Sequence, residues 1–216
     1  MDINQQSFSL GILGGTFDPI HLGHLHVALS LYSALGLAEV RLTPCGGPLL
    51  RKPPIASAEQ RLTMVKIAIE NHHGLKVDNR EIERGGPSYT IETLRSIRAE
   101  IGRRPMMCIL GVEQFAQFNQ WHDWQQIIEL AHLVIVTRAG YDLVWQPEVA
   151  KLLKQRQIMD KQLLQQSASG HLMFQSIIPL LISASEIRTK ISQGDDPAVF
   201  LPAKVWEYIQ QQHLYL

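Results

Sequence analysis

Short apolar runs alternate with longer segments of helical periodicity along most of the chain. Apolar runs bounded by Gly, Pro or polar residues predict strands, and apolar residues spaced three and four apart predict helices. The predicted strands are residues 8–13, 39–43, 75–77, 106–110, 133–136 and 172–178. The predicted helices are residues 25–35, 57–68, 90–101, 146–166, 186–192 and 202–212. Gly36 is expected to end the first helix, a capping box at Ser57 and Gln60 to begin the second, and the Gln- and Lys-rich fourth to present a solvated face.

Nearly continuous apolar strands that are separated by helices are typical of a parallel sheet covered on both faces. The alternation therefore predicts an α/β fold, a Rossmann-like doubly wound parallel sheet with C-terminal helices. We expect one domain spanning residues 1–216. Such a sheet binds its ligand beyond the carboxyl ends of its strands. Gly14, Gly111 and the step at Ile182 and Ser183 follow such ends, so these residues are expected to converge.

Composition narrows the class of protein. Of the 216 residues 45% are hydrophobic, and 20 Lys and Arg balance 20 Asp and Glu, which argues against a nucleic-acid partner. Two cysteines outside any CxxC pair favour a reduced state and a cytoplasmic location. The first residues lack the basic and apolar regions of a signal peptide, and no apolar stretch is long enough to span a membrane.

The segment from Gly14 to His24, GGTFDPIHLGH, joins the first predicted strand to the first predicted helix. A strand-to-helix turn presents unpaired backbone N–H groups and the positive end of the helix dipole, which suit a phosphate. Gly14 and Gly15 let a ligand approach the backbone, and His21 and His24 share a face on the first helical turn. A metal site of His21, His24 and His26 is the weaker alternative, because His26 diverges and no acidic residue completes it.

The segment 182–188, ISASEIR, admits two readings that are compatible. Ser183 and Glu186 have the spacing of a capping box, which is a purely structural device. The same helix start also brings amide groups and a hydroxyl close to Arg188, whose guanidinium could grip a terminal phosphate with two hydrogen bonds.

A third set of residues comprises the run 88–94, SYTIETL, together with the steps 111–113 and 118–121. Tyr89, Phe118 and Trp121 belong to this set. Aromatic residues in such positions are more often part of the core or of a surface lid than platforms for a ligand, so the pattern alone leaves their role open.

Taken together, these motifs resemble those of a known enzyme family. The runs HLGH at 21–24 and ISASEIR at 182–188 resemble the two signature motifs of the nucleotidyltransferase superfamily, and the third set is similar to the pyridine-nucleotide pocket of bacterial nicotinate-nucleotide adenylyltransferases. The tail from Phe200 to Tyr215 also matches, so the resemblance covers residues 9–216. It departs at Leu50, where the family usually has His, and at Glu113, where it usually has Asp.

The resemblance implies that the enzyme transfers the adenylyl group of ATP to nicotinate mononucleotide, giving nicotinate adenine dinucleotide and pyrophosphate. Attack on the α-phosphorus would be direct and in line, so positioning and charge stabilisation would carry the catalysis. The implied catalytic residues are His21, His24 and Arg188. The implied ATP-binding residues are Gly14, Gly15, Thr16, Phe17, His21, His24, Glu113, Ile182, Ser183, Ser185 and Arg188. The implied mononucleotide-binding residues are Gly15, Thr16, Arg51, Lys52, Tyr89, Thr90, Phe118 and Trp121.

Mg²⁺ is the expected cofactor, held by ATP and water rather than by protein ligands. The expected partners are small-molecule substrates, with no nucleic acid and no membrane, and a homo-oligomer stays open. Three alternatives for the activity remain: a preference for nicotinamide mononucleotide, adenylylation of phosphopantetheine, and a nucleotide-binding sensor without turnover. Enzymes of the phosphopantetheine type are typically shorter and lack the run 88–94, and a sensor would bind ATP without releasing pyrophosphate.

Overall fold

The computed structural model describes residues 8–48, 53–137, 145–178 and 180–216. The strands are β1 (Leu10–Gly15), β2 (Glu39–Pro44), β3 (Leu75–Val77), β4 (Met106–Gly111), β5 (His132–Thr137) and β6 (Leu172–Ser176). The helices are α1 (Leu22–Ala34), α2 (Ala58–Ile69), α3 (Arg80–Arg84), α4 (Thr90–Ile101), α5 (Val112–Phe115), α6 (Trp124–Leu130), α7 (Pro147–Arg156), α8 (Leu163–Gln166), α9 (Ala184–Ser192) and α10 (Ala203–Gln211). Two 3₁₀ turns lie at Phe118–Gln120 and Ala198–Phe200.

The strands form one sheet in the order β3-β2-β1-β4-β5-β6. From β1 the chain first extends the sheet on one side with β2 and β3, then returns to add β4, β5 and β6 on the other. The parallel register places Leu10 beside Met106, Met107 beside His132, and Leu133 beside Leu172. The predicted doubly wound parallel α/β sheet is therefore confirmed.

Contacts divide the chain into two compact units. One comprises residues 1–13, 30–41 and 89–178, and the other residues 14–29, 42–88 and 179–216. The core of the first unit is built from the buried faces of β4, β5, α4 and α6, with the Phe115 and Phe118 rings fully buried among them. The prediction of a single domain is not tested by this division and stays a prediction. In the described residues no helix is long and apolar enough to cross a membrane.

Most predicted elements lie where the sequence placed them. The strand at residues 75–77 and the helix at residues 90–101 are observed with the predicted bounds. The Ser57 capping box is also confirmed, because the Ser57 hydroxyl accepts from the Gln60 N–H at 3.2 Å and the Gln60 side chain accepts from the Ser57 N–H at 2.8 Å.

The single helix predicted over residues 146–166 is wrong, since the structure has α7 and α8 with a break between them. The break arises because the chain there pairs with the start of β6. Gln157 forms a bridge to Leu172, and the Ile158 N–H donates to the Leu172 carbonyl at 2.8 Å. The polar residues beyond the break are not merely solvated either. Lys161 Nζ donates to the Ala34 carbonyl at 2.8 Å, and Gln165 Nε2 donates to the Leu35 carbonyl at 3.1 Å, where α1 ends.

Candidate active site

The turn between β1 and α1 is open at one glycine and closed at the next. A side chain at Gly14 would meet nothing within 4 Å, so the backbone there is accessible to a ligand. A Cβ at Gly15 would lie 2.8 Å from the Phe17 ring, which is itself 2% exposed. The sequence argument that both glycines admit a ligand therefore holds sterically for Gly14, whereas Gly15 makes room for the Phe17 side chain.

His21 and His24 form a stacked pair at the start of α1. Their ring centroids lie 3.7 Å apart with an interplanar angle of 24°, which confirms that the two side chains share a face. The His21 backbone N–H donates to Nδ1 of His24 at 3.2 Å. Because Nδ1 is the acceptor, the neutral His24 ring carries its proton on Nε2, and Nε2 is then the hydrogen-bond donor.

The His21 ring is buried, with 5% of the residue exposed. Burial lowers its pKa from 6.5 to about 4, so the ring is neutral near pH 7 and interacts with a ligand as a dipole rather than as a cation. Gly23 packs closely beside it, since a Cβ there would lie 3.0 Å from Cε1 and Nδ1 of His21. In the described part of the chain the buried Nδ1 has no hydrogen-bond partner.

The free energy of unfolding is expected to decrease as the pH falls, because two buried histidine rings, those of His21 and His132, must take up protons. Burial also lowers the pKa of His132 to about 4; its Nε2 lies 2.9 Å from the Ser167 carbonyl and its Nδ1 accepts from the His171 N–H. Between pH 6.5 and 4 the unfolded chain binds more protons than the folded chain. The free energy of unfolding should therefore be greatest above pH 6.5 and fall towards pH 4, by up to about 1.4 kcal/mol per pH unit for each ring.

Urea denaturation at pH 7.5, 6.0 and 5.0 measures this slope. The variant His132→Gln should flatten it, whereas His73→Gln, which changes an exposed ring, should leave it as in the parent. An equal slope in the parent and in His132→Gln would contradict the assignment of this pH dependence to His132.

Arg188, on α9, is fixed to the turn that precedes α1. Its Nη1 donates to the Asp18 carbonyl at 2.6 Å and lies 3.9 Å from Oδ2 of Asp18. The side chain is 28% exposed, so part of the guanidinium remains accessible. The structure thus brings the second motif against the first through the contact of Arg188 with Asp18.

Half of the predicted capping box is observed at the start of α9: Ser183 caps the helix, and the described hydrogen bonds include none from the Ser183 N–H to the Glu186 side chain. The Ser183 hydroxyl accepts from the Glu186 N–H at 3.2 Å and lies 3.3 Å from the Ser185 hydroxyl. Ile182 immediately precedes the cap, and its Cβ lies 3.7 Å from the position of a Cβ on Gly23. Ser183, Ser185 and Ile182 are therefore grouped at the start of α9, where the resemblance places ATP.

Asp18 is a residue of the first motif to which the sequence assigned no role. It is 5% exposed, and its carboxylate accepts from the Ile55 N–H at 2.9 Å and the Ala56 N–H at 3.1 Å. The Tyr215 hydroxyl donates to the same carboxylate at 2.8 Å. Asp18 therefore holds two distant segments of the chain to the turn and presents its own carbonyl to Arg188.

Arg61 was not identified from the sequence at all. Its guanidinium is 1% exposed and donates to the Thr16 carbonyl at 2.7 Å, the Cys45 carbonyl at 2.7 Å and the Gly46 carbonyl at 3.3 Å. Among the described residues no carboxylate forms an ion pair with it. A signal was present, because Arg61 stands in register with Met64, Val65 and Ala68 on the apolar stripe of α2, where a charge requires buried partners.

Apart from Ser88, the third set of residues lies in the unit that contains β4 and β5. Tyr89 precedes α4, and its side chain makes no cap hydrogen bond to the helix. The Tyr89 ring lies 4.6 Å from that of His122, and Trp121 is partly buried against the core. Phe118 is 0% exposed with its ring 5.4 Å from that of Trp121, so its side chain supports Trp121 from within the core.

Four further positions were singled out from the sequence, one on α5 and three in the segment after β2. Glu113 lies on α5, just beyond the carboxyl end of β4, and is exposed. Leu50, Arg51 and Lys52 lie outside the described residues. The contribution of Arg51 and Lys52 to mononucleotide binding therefore stays a prediction.

Comparison with known proteins places the chain in a family. Residues 12–190 match the model of the cytidylyltransferase-like family. The chain is 41% identical over 206 residues to the probable nicotinate-nucleotide adenylyltransferase of Aeromonas salmonicida, covering 95% of this chain and 96% of that one. It is 43% identical over 208 residues to the protein of the same name from Cellvibrio japonicus, covering 96% and 98%.

A solved structure has a similar fold. The nicotinic acid mononucleotide adenylyltransferase of Plasmodium falciparum, in complex with NaAD, superimposes with a TM-score of 0.72 at 17% identity, covering 96% of this chain and 97% of that one. The identity of 41–43% over nearly the full length of both curated relatives shows the family. The 17% identity to the solved structure shows the fold alone. The chain belongs to the nicotinate-nucleotide adenylyltransferase family, within the cytidylyltransferase-like nucleotidyltransferases.

Proposed function

We propose that the protein transfers the adenylyl group of ATP to nicotinate mononucleotide in NAD biosynthesis. A phosphate oxygen of the mononucleotide attacks the α-phosphorus of ATP, and the bond from that phosphorus to the bridging oxygen of the β-phosphate breaks. The products are nicotinate adenine dinucleotide and pyrophosphate. The names and high identity of the curated relatives support this assignment.

The observation that carries the proposal is the hydrogen bond that fixes His24. With Nδ1 occupied by the His21 N–H, the ring can direct Nε2–H towards a phosphate oxygen without first choosing a tautomer. This donor lies at the beginning of α1, where the helix dipole also favours negative charge. Preorganised donors of this kind stabilise charge that grows on the phosphate oxygens in the transition state.

The remaining phosphate contacts follow from the same turn. Gly14, Gly15 and Thr16 supply backbone N–H groups, and the exposed part of Arg188 provides charge for the β- and γ-phosphates that leave as pyrophosphate. Since His21 is neutral, the positive charge that the described residues supply at this turn comes from Arg188 and from the buried guanidinium of Arg61.

The donor chemistry of the turn fits Mg²⁺ that arrives with ATP. The Asp18 carboxylate is already engaged by the N–H groups of Ile55 and Ala56 and by the Tyr215 hydroxyl. Among the described residues no group of three or more His, Cys, Asp or Glu side chains could hold a metal ion. Mg²⁺ prefers oxygen ligands and retains several waters, so the triphosphate and water would hold it. When bound, it neutralises part of the charge on the triphosphate.

The choice of pyridine nucleotide is proposed to depend on the start of α4. The N–H groups near Thr90 receive no side-chain cap from Tyr89. Together with the positive end of the helix dipole, they suit the carboxylate of nicotinate. An amide would turn its own N–H donor towards these groups and lose a hydrogen bond. Stacking on Trp121, worth about 0.5–1.5 kcal/mol, does not distinguish the two rings.

A pyrophosphate-release assay with ATP, Mg²⁺ and each mononucleotide tests the proposed function. We expect kcat/KM for nicotinate mononucleotide to exceed that for nicotinamide mononucleotide at least about tenfold, a ratio that corresponds to ~1.4 kcal/mol. The variant Trp121→Ala should weaken the use of both mononucleotides and leave their ratio nearly unchanged.

Phosphopantetheine serves as the third acceptor in the same assay. Faster turnover with it, or ATP binding without pyrophosphate release, would overturn the proposed reaction. Equal use of the two mononucleotides by the parent would overturn only the role of the α4 start.

A further inference from the structure

The segment that follows α10 folds back so that Tyr215 becomes buried. Tyr215 is 5% and Leu214 9% exposed, and the Leu214 N–H donates to the Ile209 carbonyl at 3.0 Å. His213 and Tyr215 have φ values of 51° and 67°, a region that bulky residues rarely occupy. Such conformations are unfavourable and persist only where the surrounding contacts hold them.

The contact that Tyr215 makes is polar and directed. Its hydroxyl donates to Oδ1 of Asp18 at 2.8 Å. Burial first, and then the Asp18 carboxylate, raise the pKa of the Tyr215 hydroxyl above its usual value, so the hydroxyl keeps its proton and remains the donor. A hydrogen bond to a charged acceptor in a buried place is stronger than a neutral one.

Asp18, which Tyr215 holds in place, in turn fixes the position of Arg188. The Asp18 side chain is held by Tyr215, Ile55 and Ala56, while its backbone carbonyl accepts from Nη1 of Arg188 at 2.6 Å. Rotation of the Asp18 residue would move this carbonyl, and the guanidinium with it. The position of Arg188 therefore depends on contacts that Arg188 does not make itself.

We propose that Tyr215 is a positioning residue for the ATP site, which orients Arg188 through Asp18. The inference rests on the proposed function, because it takes Arg188 as the group that holds the leaving phosphates. Tyr215 touches no reacting atom. Its loss should weaken the interaction with ATP and leave the interaction with the mononucleotide unchanged.

The variant Tyr215→Phe keeps the ring and removes only the hydroxyl, and Tyr208→Phe on α10 is the matched control. We expect Tyr215→Phe to raise the Kd for a non-hydrolysable ATP analogue roughly tenfold and to lower kcat/KM for ATP by a similar factor, the loss of one charge-assisted hydrogen bond. The KM for nicotinate mononucleotide should stay within twofold of the parent value. The control should match the parent in each measurement.

A double-mutant cycle separates positioning from a general structural role. In an Arg188→Ala background, Tyr215→Phe should change the Kd for the analogue less than twofold, because the group that it positions is gone. The same fold-change in both backgrounds, or an unchanged Kd in the single variant, would overturn the inference. Analogue binding does not require turnover, so a parent that binds the analogue but releases no pyrophosphate would refute the proposed function and still test Tyr215.

Discussion

Replacing His24 with alanine is expected to lower kcat by ~10²–10³-fold. The variant loses the Nε2–H donor that the His21 N–H preorganises, and the loss of one preorganised donor to a developing charge typically has this effect. It also removes the acceptor of that N–H at the start of α1, so the free energy of unfolding should fall by about 1 kcal/mol, as for the loss of a helix cap.

Steady-state pyrophosphate release and thermal unfolding measure the two effects separately. His26→Ala, two positions further along α1, is the control and should retain the kcat of the parent. Near-parent turnover of His24→Ala with an intact fold would exclude His24 from the mechanism.

Replacing Arg61 with alanine is expected to lower the free energy of unfolding by roughly 3–5 kcal/mol. The Thr16 and Cys45 carbonyls would each lose a buried donor, at about 1–3 kcal/mol apiece, and a cavity would remain beside α2. Urea denaturation checks this value. Lys66→Ala, on an exposed position of the same helix, should change stability by no more than about 0.5 kcal/mol.

Arg61→Lys provides a further comparison, because it keeps the charge but not the planar fork that reaches several carbonyls at once. Its free energy of unfolding should lie between those of the parent and of Arg61→Ala. A loss below about 1 kcal/mol in Arg61→Ala would show that the carbonyls find other donors.

The elements that the sequence predicted well are those whose signals are local. The helix at residues 90–101 starts after a Gly-Gly-Pro break and ends before Gly102, and the short strand at residues 75–77 is bounded by turns, so neighbouring residues determine both. The break between α7 and α8 depends instead on Leu172, in the next strand along the chain, β6. A periodicity window cannot detect such a partner.

The candidate site divides in the same way. His24 and Arg188 were predicted because their motifs are contiguous and their chemistry suits phosphate. The roles of Asp18 and Tyr215 were not, because the two residues are 197 positions apart and only the fold brings them within hydrogen-bond distance. The sequence predicted that Gly15 lets a ligand approach the backbone. In the structure Gly15 instead makes room for the Phe17 ring, whose orientation depends on tertiary contacts.

The burial of Arg61 has a consequence for how the protein responds to salt. Mobile ions screen exposed charges over about 8 Å at physiological ionic strength, but they screen a buried charge much less. The chain has no net charge, so a long-range field contributes little to the capture of an anion. Attraction at the turn therefore has two parts: the Arg61 guanidinium, which counterions cannot approach, and the partly exposed Arg188 guanidinium, which they can screen. Raising the ionic strength should weaken the affinity for an anionic ligand through Arg188 and leave the contribution of Arg61 largely intact.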